Sequence, residues 1–192
     1  MIKKCFNFLL KKVKCLNNIQ ISDNKFIFIY SLYFTTILNF GLWRYVYNSI
    51  IIDSFIIFIF LISLPIVLCS VLYAFFNIIL FPKTYKILSI LFLLITSITN
   101  YFVFELNVFI NEGMIINVIG TTVAESVDLI TSRLIFYLFF TGIIPSFLVY
   151  KIKINTSPIK KNLLNRIIRI GMSFGILLLI ICIVVKQYFF YG

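Results

Sequence analysis

Histidine is absent from this 192-residue chain, and only six residues are acidic. Zinc sites and general acid–base devices draw on those residue types, so a self-contained metal site or histidine-dependent active site is not expected. Cysteine is scarce too: Cys5 and Cys15 lie in a basic N-terminal stretch, Cys69 and Cys182 lie in apolar runs, and no C-x-x-C spacing occurs. No disulfide is expected from them. Charged residues make up 12% of the chain against 62% hydrophobic, with a mean hydropathy of +1.11. A soluble fold cannot hide that much apolar surface, so the composition points to a polytopic membrane protein.

The charge that is present is mostly positive, 17 Lys and Arg for a net +11. A basic face or stripe would suggest nucleic acid, but these residues flank apolar spans instead, and no nucleic-acid partner is expected. Residues 1–25 carry Lys3, Lys4, Lys11, Lys12, Lys14 and Lys25, with Phe6, Phe8, Leu9 and Leu10 between them. Such a stretch suits an interfacial amphipathic helix touching anionic lipid, or simply the rule that keeps positive loops in the cytoplasm. Its apolar run is too short, and lacks the small-x-small site, for a cleavable signal peptide.

Hydropathy predicts an all-α integral membrane protein with five transmembrane helices over residues 26–43, 54–81, 87–104, 134–150 and 167–185. Trp43, Tyr45 and Tyr47 suit an interfacial aromatic belt after the first span, and Asn39 suits an interhelical hydrogen bond within it. Pro65 is expected to kink the second span, and Gly142 with Pro145 to bend the fourth. In the fifth, Arg169 is expected to snorkel, and Gly171 and Gly175 to let another helix approach.

Orientation follows from counting. With the N-terminus inside, fourteen of the seventeen basic residues collect on the inner side, leaving Arg44, Arg133 and Lys186 outside. Residues 105–133 then form a polar segment on the outer side between the third and fourth helices, and the C-terminus faces the same way. In a Gram-negative bacterium that side is the periplasm, and the membrane is the inner one.

Within that segment, Asn117, Thr121 and Glu125 fall four residues apart in succession. On a helix this spacing stacks an amide, a hydroxyl and a carboxylate on one face. Glu125 there suits an ammonium group, while Asn117 and Thr121 suit phosphate or glycerol oxygens; an ethanolamine phosphate presents both. A second reading stays open: Thr122-Val123-Ala124-Glu125 is a capping box, with Glu125 reaching back to the amide of Thr122. Asp128 and Arg133 likewise suit a plain interfacial charge pair.

The pattern Met114-Ile115-x-Asn117-Val118-x-x-Thr121-x-x-Ala124-Glu125, followed by Leu129 and Thr131, resembles the N-terminal membrane domain of the lipid A phosphoethanolamine transferases. The flanks agree: Asn39 with Trp43, Tyr101-Phe102, and Gly142-Ile143-Ile144-Pro145 leading to Tyr150-Lys151-Ile152-Lys153. Departures are Leu106-Asn107 where the family usually has Tyr-Gly, Asn111 where aspartate is common, and Thr122 where Asp or Asn is usual.

The resemblance implies that Asn117, Thr121 and Glu125 help bind the phosphatidylethanolamine donor. It also implies that lipid A, or the core of lipopolysaccharide, is the acceptor. In the family the transfer passes through a covalent threonine intermediate, assisted by zinc, in a periplasmic domain that residues 1–192 are expected not to contain. No residue here is then catalytic, none holds a cofactor, and the domain alone is expected to be inactive. Two other readings are a small transporter or channel with Asn39, Asn77 and Asn100 along a path, and a non-catalytic lipid-binding scaffold. The transporter reading is weakened by the expectation that no span holds a buried charge pair and by the lack of an apparent inverted repeat.

Overall fold

The computed structural model describes residues 20–50, 55–82, 84–106, 120, 129–156 and 158–191. The basic stretch over residues 1–19, with Cys5 and Cys15, lies outside the described residues, as do Lys83 and most of the polar segment.

A short strand, β1 (Gln20–Ser22), leads into helix α1 (Asp23–Thr36), and α2 (Phe40–Ser49) follows it. Next come α3 (Phe55–Ile79) and α4 (Tyr85–Leu106). Helix α5 (Ser132–Leu138), a π-helical turn (Phe139–Ile143) and α6 (Ile144–Lys151) form one rod. Strand β2 (Lys153–Asn155) and the long α7 (Ile159–Tyr191) complete the described chain. Four stretches are long and apolar enough to cross a membrane: Ile57–Ile79, Tyr85–Glu105, Ser132–Lys151 and Lys161–Cys182. Taken together as one span, the bent pair α1 and α2 passes the same test and brings the number to five. The fold is therefore an all-α, multi-pass membrane domain.

The surface confirms this by its inversion. Large apolar side chains such as Ile29, Ile87, Phe136, Phe140 and Leu178 are exposed, while Ser31, Thr35, Ser89, Ser97, Asn100 and Ser173 are buried. A water-soluble bundle does the reverse; here hydrocarbon is the solvent and small polar residues lie between helices. Helix α3 packs between α1 and α7, and α4 packs between α2 and the α5–α6 rod. At the centre, Tyr30, Phe34 and Phe76 meet at ring-centroid distances of 4.7–4.9 Å. The Tyr30 hydroxyl donates to the Ser89 carbonyl at 2.8 Å, tying α1 to α4.

The first span does not run straight through residues 26–43. It breaks after Thr36, and α2 departs at 47°. The hydroxyls of Ser31, Thr35 and Thr36 each donate to the carbonyl four residues earlier, at 2.8–2.9 Å, a bonding pattern that bends helices. Asn39 serves this break rather than a neighbouring helix, its amide donating to the Phe34 carbonyl at 2.8 Å. The Trp43 indole donates to the Thr35 carbonyl at 2.5 Å and so also closes the break.

At Pro65, α3 continues without a break. In the fourth span a π-helical turn lies just before Pro145. Proline has no N–H for the carbonyl one turn back, and that carbonyl, of Thr141, accepts instead from the Tyr33 hydroxyl at 2.8 Å.

Three sequence expectations for the last span are corrected. Arg169 does not snorkel: it turns inward and pairs with Asp23 at 3.0 Å, with the two side chains only 9% and 12% exposed. That is the buried charge pair the spans were not expected to hold. Gly171 and Gly175 face open space among the described residues, so none of the described helices uses them for close approach. The close approaches fall elsewhere, at Gly41, 3.2 Å from Val103, and at Gly142, 3.2 Å from the Ser97 hydroxyl, both distances measured from an added Cβ.

The end of the bundle where α1 and α7 begin is bound by charge and is called the basic end below. Arg166 lies 4% exposed and donates to Asn162 and to the Asn77 carbonyl at 2.6 Å each, and to the Tyr85 hydroxyl. Its guanidinium also sits over the rings of Phe81 and Tyr85. Asn162, Arg166, Arg169 and Ser173 thus form one polar stripe down the inner face of α7, at spacings of four, three and four. Strands β1 and β2 pair in parallel beside it, Ile21 against Ile154. Lys86 donates to the Tyr150 carbonyl at 2.7 Å, at the C-terminal turn of α6.

Candidate functional site

The opposite end of the bundle is where α4 finishes and α5 starts, the two helices that residues 107–128 connect in the chain. Asn117, Thr121 and Glu125 lie outside the described residues, as do the capping box from Thr122 and Asp128. What is described is the platform that holds this segment at both ends. The Tyr101 and Thr131 hydroxyls share a hydrogen bond of 2.8 Å. Thr131 also caps α5 by accepting from the Leu134 amide at 3.2 Å. Arg133, which the sequence paired with Asp128, bonds Glu105 at 3.0 Å. The two flanking helices are thus joined by contacts from the end of α4 to the start of α5.

Beside that platform, a cleft of about 260 Å³ opens between α4 and the break of the first span. Thr96, Thr99 and Asn100 on α4 face Asn39 and Leu42 across it. Asn100 is held on both sides. Its amide donates to the Tyr137 hydroxyl at 2.5 Å and toward the Ile37 carbonyl at 3.4 Å, and its oxygen accepts from the Gly41 amide at 3.4 Å. A break in a helix frees backbone donors and acceptors that hydrocarbon cannot satisfy, and Asn100 supplies partners for two of them. One turn deeper, the hydroxyls of Ser97 and Thr141 bond each other.

The lining mixes apolar Leu38, Leu42 and Val103 with the hydroxyls and amides, and among the described residues it holds no ionisable group. It offers hydrogen bonds to neutral or phosphate oxygens and supplies neither a nucleophile's base nor an electrophile. Among the described residues, no three His, Cys, Asp or Glu side chains stand close enough to share a metal ion. With no histidine in the chain, these residues do not fit a zinc site, and no chemical step through zinc is assigned to them.

Asn39 and Asn100, read from sequence, share this cleft, whereas Asn77 does not join them. Asn77 lies at the basic end, donating to the Tyr73 carbonyl at 2.8 Å, with the aromatic core between. Thr96 and Thr99 escaped the sequence reading. The signal was present, since Thr96, Thr99, Asn100 and Val103 recur at three- and four-residue spacing within the third span.

A family model described as "Phosphoethanolamine transferase EptA/EptB" matches residues 68–192. The phosphoethanolamine transferase EptA of Escherichia coli K12 is 28% identical over 157 residues, which is 81% of this chain and 29% of that protein. EptA of Helicobacter pylori is 29% identical over 134 residues, 69% of this chain and 25% of the relative. Among solved structures, the integral membrane lipooligosaccharide phosphoethanolamine transferase A of Neisseria meningitidis superposes with a TM-score of 0.81 at 28% identity. That match covers 88% of this chain and 32% of the Neisseria chain. The chain thus spans less than a third of the length of these relatives.

Proposed function

The chain belongs to the EptA/EptB phosphoethanolamine transferase family, as its transmembrane domain, and on that premise we propose that it binds the donor lipid, phosphatidylethanolamine, at the outer end of its bundle. Residues 1–192 act as one membrane domain, with the N-terminus cytoplasmic, the segment 105–133 and the C-terminus periplasmic, in a bacterial inner membrane. The observation that carries the proposal is the polar cleft at the foot of the segment that holds Asn117, Thr121 and Glu125. A donor lipid needs hydrogen-bond partners for its glycerol and phosphate oxygens at that depth, and Thr96, Thr99 and Asn100 offer them. Glu125 then meets the ammonium, while Asn117 and Thr121 meet the phosphate. Transfer to lipid A or the lipopolysaccharide core belongs to a zinc-dependent domain outside these residues, and the 192 residues alone transfer nothing.

The test is retention of phosphatidylethanolamine by the purified protein in nanodiscs that also hold phosphatidylcholine. Glu125→Gln keeps the shape and removes the charge, so binding should fall by about tenfold or more, the weight of one hydrogen bond to a charged group. Unchanged retention together with a lowered melting temperature would instead assign Glu125 to the capping box and sink the donor site.

A further inference from the structure

A second cavity, of about 360 Å³, lies on the other side of the molecule, between α1, α3 and α7 at the basic end. Its rim is polar, formed by Asn24 and Lys25 at the start of α1, Ser70 and Tyr73 on α3, and Ser173 on α7. Phe28, Met172 and Ile176 continue the same wall toward the middle of the bundle and are exposed on the bundle surface. The groove therefore passes from a hydrogen-bonding mouth to an open apolar track.

Behind the rim lies an unfinished charge. Arg169 gives one terminal nitrogen to Asp23 at 3.0 Å and its Nε to the Asn165 carbonyl at 3.1 Å. Its Nη1 is buried and makes no hydrogen bond among the described residues, so the guanidinium backs the rim without opening onto the groove. Arg169 adjoins the groove through two of its lining residues: the Ser173 hydroxyl bonds its carbonyl at 3.1 Å, and Tyr73 stands within its electrostatic reach.

We infer that this groove is a binding site for one anionic phospholipid, its phosphodiester held at the polar rim by Lys25 and one acyl chain lying along Phe28, Met172 and Ile176. Charge selects the ligand. Asp23 is already matched to Arg169, so among the described residues Lys25 is the one charged residue lining the cavity, and the site attracts a net negative head. A zwitterionic head would bring an ammonium to a rim that has no free carboxylate among the described residues. The location agrees, since Lys25 begins a span at the basic end, where headgroups of one leaflet are presented. The site is separate from the proposed donor cleft, which lies at the other end of the bundle and is lined by neutral groups.

The test is native mass spectrometry of the full 192-residue protein released from nanodiscs of phosphatidylglycerol and phosphatidylcholine in equal parts. One phosphatidylglycerol should remain bound per protein. Lys25→Glu should lower its retention about tenfold or more, in line with a lost charge-assisted contact. Met172→Trp, at a position already exposed, should lower retention by filling the track without disturbing the core. Lys161→Glu, an exposed lysine outside the groove, should leave it unchanged. Equal retention of phosphatidylcholine, or an equal loss in Lys161→Glu, would overturn the inference. So would displacement of the lipid by millimolar inorganic phosphate, which would assign the pocket to a free anion.

Discussion

The two ends of this bundle are held together by different chemistry. At the basic end, ionised side chains are buried: Arg166 among Asn162, Asn77 and two rings, and Arg169 against Asp23. At the opposite end the links are neutral and part-buried, Tyr101 to Thr131, Asn100 to Tyr137 and Ser97 to Thr141, and the described ion pair, Glu105 with Arg133, is exposed. A buried charge pair tolerates little rearrangement, because separating it strands a charge in hydrocarbon. Hydroxyl and amide links exchange partners at small cost, and double-mutant measurements in membranes give them about 0.6 kcal/mol each. The basic end is thus held by links that resist rearrangement, and the opposite end by links that yield more readily.

The sharpest way to break that contrast is Asp23→Asn. It leaves the Arg169 guanidinium buried without its carboxylate, and thermal unfolding in detergent should show a loss of about 3–5 kcal/mol. Replacing both residues, Asp23→Leu with Arg169→Met, should restore most of it, since no stranded charge remains. If the single change costs under 1 kcal/mol, the basic end is no more rigid than the other and the contrast fails.

The glycines sharpen the comparison at a smaller scale. At Gly142 an added Cβ would stand 3.0 Å from the Leu138 side chain and 3.2 Å from the Ser97 hydroxyl. Gly142→Ala should therefore press the α5–α6 rod away from α4 and cost about 1–3 kcal/mol. Gly171→Ala meets nothing within 4 Å and sits in mid-helix, where alanine is favoured by about 0.5–1 kcal/mol. The two variants should shift the melting temperature in opposite directions. A shift of the same sign would show that the pairing of α4 with the rod is not close-packed at Gly142.

Gly171 and Gly175 also show where sequence reading stops. Their spacing matched a helix-approach motif, yet the approach uses Gly41 and Gly142, which carry no motif at all; only the shape of the partner surface distinguishes them. Hydropathy located the membrane-crossing stretches because transfer of apolar side chains is a local, additive property of each stretch. Arg169 was misread because its partner lies 146 residues away, and no local pattern separates a snorkelling arginine from a paired one. The strands β1 and β2, three residues each and 133 positions apart in register, are too short for a period and too distant for a turn signal. The break at residues 37–39 was more legible, since Ser31, Thr35, Thr36 and Asn39 all compete with the helix for backbone partners. In the candidate site, Asn39 and Asn100 stood out as amides in apolar spans, whereas Thr96 and Thr99 were hidden by how commonly threonine fills helix interfaces.

The weakest link in the contrast is the ion pair that closes the segment, and its weakness is informative. Arg133 and Glu105 meet at 3.0 Å, but their side chains are 80% and 38% exposed, so solvent and salt screen the attraction. Arg133→Gln should lower stability by no more than about 0.5 kcal/mol, and added salt should erase even that. The pair then works as a latch between Glu105 at the end of α4 and Arg133 at the start of α5 rather than as a brace, while Thr131, capping α5 and bonding Tyr101, carries the structural load. Hydrogen exchange separates the two roles. Arg133→Gln should speed exchange in residues 107–128 and leave α4 and α5 unchanged, whereas protection lost throughout α5 would make the pair a brace and bring the two ends closer in kind.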